Sequence, residues 1–376
     1  MSADALTSSR IQGPVLVLAL AAAAVVGVEV MGVSAKKASL FLVAIAMGVS
    51  LYHASFGFSG AYRRAIRDKD ITGVAAQLVM LALAMVLFAP VLAKGSIFGH
   101  GVGGALAPVS VSMAFGAFLF GIGMQIGGAC ASGTLYTAAS GRLRMVVVLV
   151  FFCAGAFWGS LDLHWWSKLP GIGSISLGRL FGFGPALALQ LAVLAAVYLV
   201  LRRLGGRINK PLWEKNAFSW RRLLRGPWPL LMSAALLALL NWATLLIAGH
   251  AWSITWAFSL WSAKAAVLLG WDPATSPFWS GGYRLAALSR SVLADTTSVM
   301  NIGIMLGAMI AASLAGRAGS KVHIPLASLA AAVVGGLMMG YGARLAYGCN
   351  IGAFFSGAAS MSLHGWVWIL AAIPGN

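Results

Sequence analysis

Residues 74–93 read Val-Ala-Ala-Gln-Leu-Val-Met-Leu-Ala-Leu-Ala-Met-Val-Leu-Phe-Ala-Pro-Val-Leu-Ala, a run with one amide and no charge. Coiled into a helix, a run of this size is about 30 Å long, which matches the hydrocarbon thickness of a bilayer. Comparable runs recur along the chain at Pro14–Val33, Leu40–Phe58, Val109–Ile126, Met145–Leu161, Pro185–Leu201, Trp228–Ala248, Val299–Leu314 and Ile324–Leu345. Composition agrees: of 376 residues, 60% are hydrophobic and 9% charged, against roughly 25% charged in soluble domains. No segment shows the alternation of apolar and polar residues that a transmembrane barrel requires. The chain is therefore read as an all-α polytopic membrane protein with about nine spanning helices. Arg10 before the Pro14–Val33 run resembles a signal-peptide start, but the run is longer than a signal h-region, so a retained first helix is expected.

The formal net charge is +18. A nucleic-acid partner is set aside because the basic residues lie between spans and not on one soluble face. They report topology instead, since Lys and Arg collect in short cytoplasmic loops. Arg63, Arg64, Arg67 and Lys69 form one cluster. A second holds Arg202, Arg203, Arg207, Lys210, Lys215, Arg221, Arg222 and Arg225, relieved only by Glu214. An even number of spans separates them, so both are placed in the cytoplasm, with the N-terminus. The loop at Leu163–Leu177, carrying Trp165 and Trp166, then lies outside. These assignments divide the chain into an N-terminal membrane half (1–201), a basic cytoplasmic linker (202–226) and a C-terminal membrane half (227–376).

The two halves repeat. Gly121-Ile-Gly-Met-Gln-Ile-Gly-Gly-Ala-Cys130-Ala-Ser-Gly133 aligns with Gly340-Tyr-Gly-Ala-Arg-Leu-Ala-Tyr-Gly-Cys349-Asn-Ile-Gly352, with two of three cysteines in one slot. Gly116 pairs with Gly335 and Thr137 with Ser356, and Tyr62-Arg63-Arg64 has a weak echo in Ser262-Ala263-Lys264. Counted from the basic loops, the first glycine-rich span runs inward and the second outward, with Arg317 and Lys321 before it. This is the inverted internal repeat common among transporters. The stretches after each cysteine, Ala131–Ser140 and Asn350–Ser360, are too short to span and are expected to be short re-entrant helices. Trp252–Gly270 is expected to dip in without a clean crossing. Broken backbone survives at membrane depth only where protein or a polar cavity satisfies it.

A cysteine at the start of such a helix sits beside free N–H groups and the positive end of the dipole, which favour thiolate and attract anions. Two such ends suit a small sulfur-containing anion, with Cys130 and Cys349 on either side. Gly128, Gly133, Gly348 and Gly352 frame the two turns, and Asn350 follows the second cysteine. Gln125 and Arg344 occupy one repeat slot and are candidates to hold the anion. For Arg344, snorkelling to the interface stays open. Cys153, in a plain apolar run, is read as packing. No metal site is expected, because two cysteines without further ligands at fixed spacing do not make one. His100, His164, His250 and His323 fall at span ends or loops, and His53 and His364 have no partner spacing, so no haem or other cofactor is expected. Asp162 and Asp295 are acids near span ends. No phosphate-binding loop for a nucleotide is present.

Gly121–Gly133 and Gly340–Gly357 resemble the two signature segments of the YeeE/YedE sulfur-transport family, and the second match is the sharper. The resemblance covers about residues 38–374. It implies a bacterial inner-membrane protein with an inverted, hourglass-like helical arrangement, thiosulfate uptake, and Cys130 and Cys349 as two of the cysteines that relay the anion. It also brings in a separate small sulfur-carrier protein as a partner, beside membrane lipid. Thiosulfate-transporting members carry a further first-half cysteine before a basic turn; here that stretch reads Phe56-Gly-Phe-Ser-Gly-Ala-Tyr-Arg63. Two other readings stay open: a transporter of another soft solute, such as a selenium or other sulfur species, and a membrane anchor or redox subunit of a sulfur-metabolising complex.

Overall fold

A computed structural model describes residues 10–213, 219–319 and 324–376, so Glu214, Lys215, Lys321 and His323 lie outside the described residues. Within them, nine helical stretches are long and apolar enough to cross a membrane, one for each expected run. The first half comprises α1 (Gly13–Val33), α2 (Ala35–His53), α3 (Phe58–Arg67), α4 (Thr72–Lys94), α5 (Val111–Gly127), α6 (Ala131–Ala139), α7 (Leu143–Trp166), α8 (Leu177–Phe181) and α9 (Phe183–Arg203). After α10 (Trp220–Arg225) come α11 (Leu230–Ala248), α12 (Thr255–Leu268), α13 (Gly282–Ser289), α14 (Thr296–Leu314) and α15 (Leu326–Leu345). A π-helix (Asn350–Phe355), α16 (Ser356–Ala359) and α17 (Leu363–Ala372) close the chain.

Packing follows the repeat. α2 lies on α14 while α11 lies on α4, α7 lies on α15 while α17 lies on α5, and α5 and α15 pack on each other. Exchanging the halves maps each pair onto its counterpart. The same exchange holds at the crossing of α5 and α15. A Cβ at Gly123 would meet the Gly335 carbonyl at 2.9 Å, and one at Gly342 would meet the Gly116 carbonyl at 2.5 Å. Glycine there lets two backbones touch, which is how helices gain contact when no water drives them together.

One early helix in each half is interrupted, and these two breaks are built alike. α2 ends at His53 and α3 starts after Gly57; α11 ends at Ala248 and α12 starts after Ile254. The last carbonyl before each restart is freed from the helix ladder and needs a donor at membrane depth. Gln77 of α4 donates to the Gly57 carbonyl at 3.2 Å, and Asn301 of α14 donates to that of Ile254 at 3.0 Å. Trp252–Gly270 is thus an extended lead-in followed by α12, which packs on α7. The second span ends at His53 and not at Phe58, because the chain turns there before α3.

One end of the bundle gathers the basic segments. Ile71 N–H bonds the Arg207 carbonyl at 2.9 Å, and Gly319 N–H bonds that of Ser140 at 2.7 Å. The opposite end carries short strands that the apolar periodicity does not show. Ser96–Ile97 pairs with His100–Gly101, and Pro108–Ser110 pairs with Gly171–Ser174. Leu163–Trp166, expected in a loop, is the last turn of α7. Trp166 there donates to the Tyr341 hydroxyl at 2.8 Å, which donates to Asp162 at 2.8 Å.

Candidate functional site

α5 stops because Gly128 turns left-handed at φ +82°, a conformation costly for any residue with a Cβ. Two residues later Cys130 is the N-cap of α6 in extended backbone, and its carbonyl accepts from Thr134 N–H at 2.7 Å. The second copy does the same with a different helix. After Gly348 at φ +151°, Cys349 is the N-cap of the π-helix, its carbonyl accepting from Ala353 N–H at 2.9 Å. Neither thiol makes a capping bond. The Cys349 thiol nonetheless lies beside the Ile351 and Gly352 amides. π-turns inside helices often mark functional positions, and here the extra residue adds slack beside the thiol. Sequence periodicity does not distinguish a π-turn from an ordinary short helix.

The two cysteines share one buried cluster, each 1% exposed, and α6 rests against the π-helix. Cys130 Sγ meets Ser132 Oγ at 3.4 Å. Tyr62 and Tyr136 stand near Cys130, and Tyr62 adjoins Asn350. The Tyr62 hydroxyl, both amide atoms of Asn350 and the Thr134 hydroxyl are buried with no hydrogen-bond partner. A buried polar group left unpaired costs about 1–3 kcal/mol. Several such groups beside two thiols therefore describe a place prepared for a polar guest. Neither Tyr62 nor Tyr136 is marked by the sequence as a site residue, because neither falls on a glycine or cysteine position that the two copies share.

From Cys130 a cavity of about 890 Å³ opens toward the basic end. Gln125, Gly128, Cys130 and Gly133 all lie on its wall, together with Ser59, Tyr136 and five arginines. These are Arg63, Arg64, Arg142, Arg144 and Arg317, and the described wall holds no carboxylate. The arginines are positioned. Arg63 Nε donates to Gln125 Oε1 at 2.9 Å, and Arg144 donates to Ser328 Oγ at 2.9 Å and to the Gly127 carbonyl at 2.6 Å. A cleft lined by one sign of charge concentrates counter-ions, here anions. Ser59 and Gly60 lie on this wall, within the stretch where thiosulfate-transporting members are expected to carry their further cysteine.

Gly348, Cys349, Asn350 and Gly352 are not on that wall. Arg344 sits apart from both groups, on the last turn of α15. Its Nε is buried without a partner and its guanidinium lies 4.8 Å from the Phe278 ring. Gln125, in the same repeat slot, ends at the basic cavity and donates to Asn376 Oδ1 at 2.8 Å. The two slot-mates therefore serve opposite ends. Cys153 is buried within α7. Asp295 caps α14 through Ser298 N–H at 2.7 Å, and His364 Nε2 meets the Ala346 carbonyl at 3.1 Å. Among the described residues no three His, Cys, Asp or Glu side chains gather to hold a metal ion.

Comparison with known proteins finds one family, described as sulphur transport, whose model matches residues 53–376. The thiosulfate transporter TsuA of Spirochaeta thermophila is 26% identical over 352 residues, covering 89% of this chain and 95% of that protein. TsuA of Escherichia coli K12 is 25% identical over 281 residues, 69% of this chain and 71% of that protein. A protein named "Probable transporter YedE", also from Escherichia coli K12, is 29% identical over 164 residues, 44% of this chain. The match spans only 39% of that YedE protein.

Proposed function

Since this chain belongs to the sulphur transport family, we propose that it is a permease carrying thiosulfate or a related sulfur-containing anion across the bacterial cytoplasmic membrane. The observation that carries this reading is the waist. Two buried cysteines begin two short broken helices that touch, among hydroxyl and amide groups with no partner of their own. Backbone N–H groups at helix starts hold negative charge, while a thiol donates weakly to a soft terminal sulfur. The anion passes from Cys349 to Cys130 as one set of donors replaces the other, so no step leaves it bare in an apolar layer. The basic cavity below Cys130 then draws it onward, and the positive-inside rule places that cavity in the cytoplasm. Its arginines also give a separate small sulfur-carrier protein a surface to approach.

The test is growth. A bacterial strain lacking its own sulfate and thiosulfate uptake, given this gene, should grow on thiosulfate as sole sulfur source. Growth on another sulfur compound but not on thiosulfate would move the substrate to a different soft solute. Failure on every sulfur source, with the protein present in the membrane, would sink the permease reading.

A further inference from the structure

A smaller cavity of about 280 Å³ lies beside the main one, walled by the ends of α2, α6 and α14 and by the stretch at the end of α10. Its wall carries His53, Arg142, Arg225 and Arg317, and no carboxylate among the described residues. Arg142 and Arg317 also line the main cavity, whereas His53 and Arg225 line this chamber and not the other. Arg225 comes from the basic linker, which along the chain reports only topology. Three guanidinium groups around one space favour an anion. At about 30 Å³ per water molecule, the chamber admits a tetrahedral oxyanion with water to spare.

His53 decides which anion. It belongs to the wall yet is only 4% exposed. The linker holds one edge of its ring: a Cβ at Gly226 would meet Nδ1 at 2.8 Å, and the Leu224 carbonyl lies beside the ring. The Trp228 ring packs at 5.1 Å, and the Trp228 backbone N–H donates to the His53 carbonyl at 3.0 Å. A ring nitrogen set against a carbonyl carries the proton, so in the neutral ring the other nitrogen is an acceptor. That nitrogen, Nε2, is buried with no hydrogen-bond partner, which is unfavourable until a donor reaches it. The chamber thus combines fixed cations with one bare acceptor. Sulfate and thiosulfate dianions bring only acceptor atoms and would set a lone pair against Nε2. Hydrogen phosphate brings the O–H that Nε2 lacks.

We propose that this side chamber is a second anion site, apart from the thiol pair, that takes a hydrogen-bearing oxyanion: hydrogen phosphate or the end of a phosphate monoester. Its charged oxygens face the arginines while its hydroxyl donates to His53 Nε2. Binding in the chamber does not depend on the permease reading. The consequence for transport does. Arg142 and Arg317 line both cavities, so an ion held in the chamber weakens the hold on an anion in the main cavity, and linkage makes the effect mutual.

The experiment is equilibrium dialysis of radiolabelled inorganic phosphate against the full-length protein in phosphatidylcholine nanodiscs, with sulfate as competitor, for wild type, Arg225→Gln and His53→Asn. Wild type should bind phosphate saturably, and sulfate should compete about tenfold less well than unlabelled phosphate. Arg225→Gln should weaken phosphate binding about tenfold. Asparagine keeps a donor where Nδ1–H stands and removes the Nε2 acceptor. His53→Asn should therefore bring phosphate and sulfate to parity, a change of preference that lost packing alone does not produce. No saturable binding, or sulfate equal to phosphate in wild type, overturns the proposal. Phosphate binding untouched by Arg225→Gln would put the ion in the main cavity and overturns it too. A lipid phosphodiester has no P–O–H to offer, so phosphatidylglycerol in the discs should leave phosphate binding in place. Abolition by that lipid would make a headgroup the occupant and end the proposal. If His53→Asn gives no monodisperse protein, the wild-type preference and Arg225→Gln still decide. None of these readings uses thiosulfate uptake, so a failed permease leaves them intact.

Discussion

Cys130 and Cys153 are both buried, yet the backbone separates their roles. Cys153 lies within α7, where its amide and carbonyl belong to the helix ladder, whereas Cys130 and Cys349 are N-caps in extended backbone at the start of short helices. Around that pair the Tyr62 hydroxyl has no partner, which leads to an uncommon expectation. Removing an unpaired buried hydroxyl costs little, so Tyr62→Phe should leave thermal unfolding in detergent unchanged or slightly raised. If the hydroxyl serves the anion, the same change should slow thiosulfate uptake about tenfold. A destabilised Tyr62→Phe that transports normally would assign the tyrosine to packing. Asp70, in the turn between α3 and α4, gives a pH prediction. Burial alone would raise its carboxyl pKa, but bonds from the Thr72 hydroxyl and N–H, the Arg64 charge and the Asn209 N–H hold it below the ordinary value. The Thr72 hydroxyl bond is 2.5 Å long and the Arg64 contact 3.6 Å. A folded-state pKa below the unfolded one adds stability above the unfolded value and loses it as pH falls through the folded value. Asp70→Asn should therefore lower thermal stability by about 1–2 kcal/mol at pH 7. That gap should close below about pH 4, where the unfolded-state carboxylate protonates. A gap independent of pH would show that shape and not charge matters there.

Among the helices, α15 is the element on which most depends, since it packs on both α5 and α7. Its Gly340 sits where a Cβ would strike the Phe152 carbonyl, with the Ala156 nitrogen at 2.5 Å. Gly340→Val should cost about 1–3 kcal/mol by overpacking and appear as reduced yield of monodisperse protein, whatever the transport assay reads. Normal yield and melting temperature would mean the helices can part at no cost. The spans themselves were legible because length and hydropathy suffice for them. Each of the nine runs, from Pro14–Val33 to Ile324–Leu345, overlaps a described spanning stretch, with ends that differ by a few residues. Glycine spacing and the shared cysteine slot also marked where the helices break. Other features were hidden for physical reasons. A π-turn at Asn350–Phe355 has the composition of an α-helix, and the strand pair Pro108–Ser110 with Gly171–Ser174 is made by residues far apart in sequence. The anchoring of the two breaks by Gln77 and Asn301 joins residues 20 and 47 positions apart and could be found only in three dimensions.

At the scale of the whole molecule, the exchange of halves explains why two related cysteine turns face opposite ends and meet between them. It also explains what the sequence could not separate. Gln125 and Arg344 share a slot, but inversion sends one to the basic cavity and the other to the opposite rim. Arg63, Arg64 and Arg317, read along the chain as markers of topology, converge in space on the cavity beneath Cys130. The account's central claim is that the anion must pass both thiols. It is tested most directly by radiolabelled thiosulfate uptake into proteoliposomes containing wild type, Cys130→Ala, Cys349→Ala or Cys153→Ala, each first shown to be inserted and monodisperse. Uptake should persist in wild type and Cys153→Ala and fall to the protein-free background in the other two. Uptake at the wild-type rate in either Cys130→Ala or Cys349→Ala would contradict passage between the cysteines.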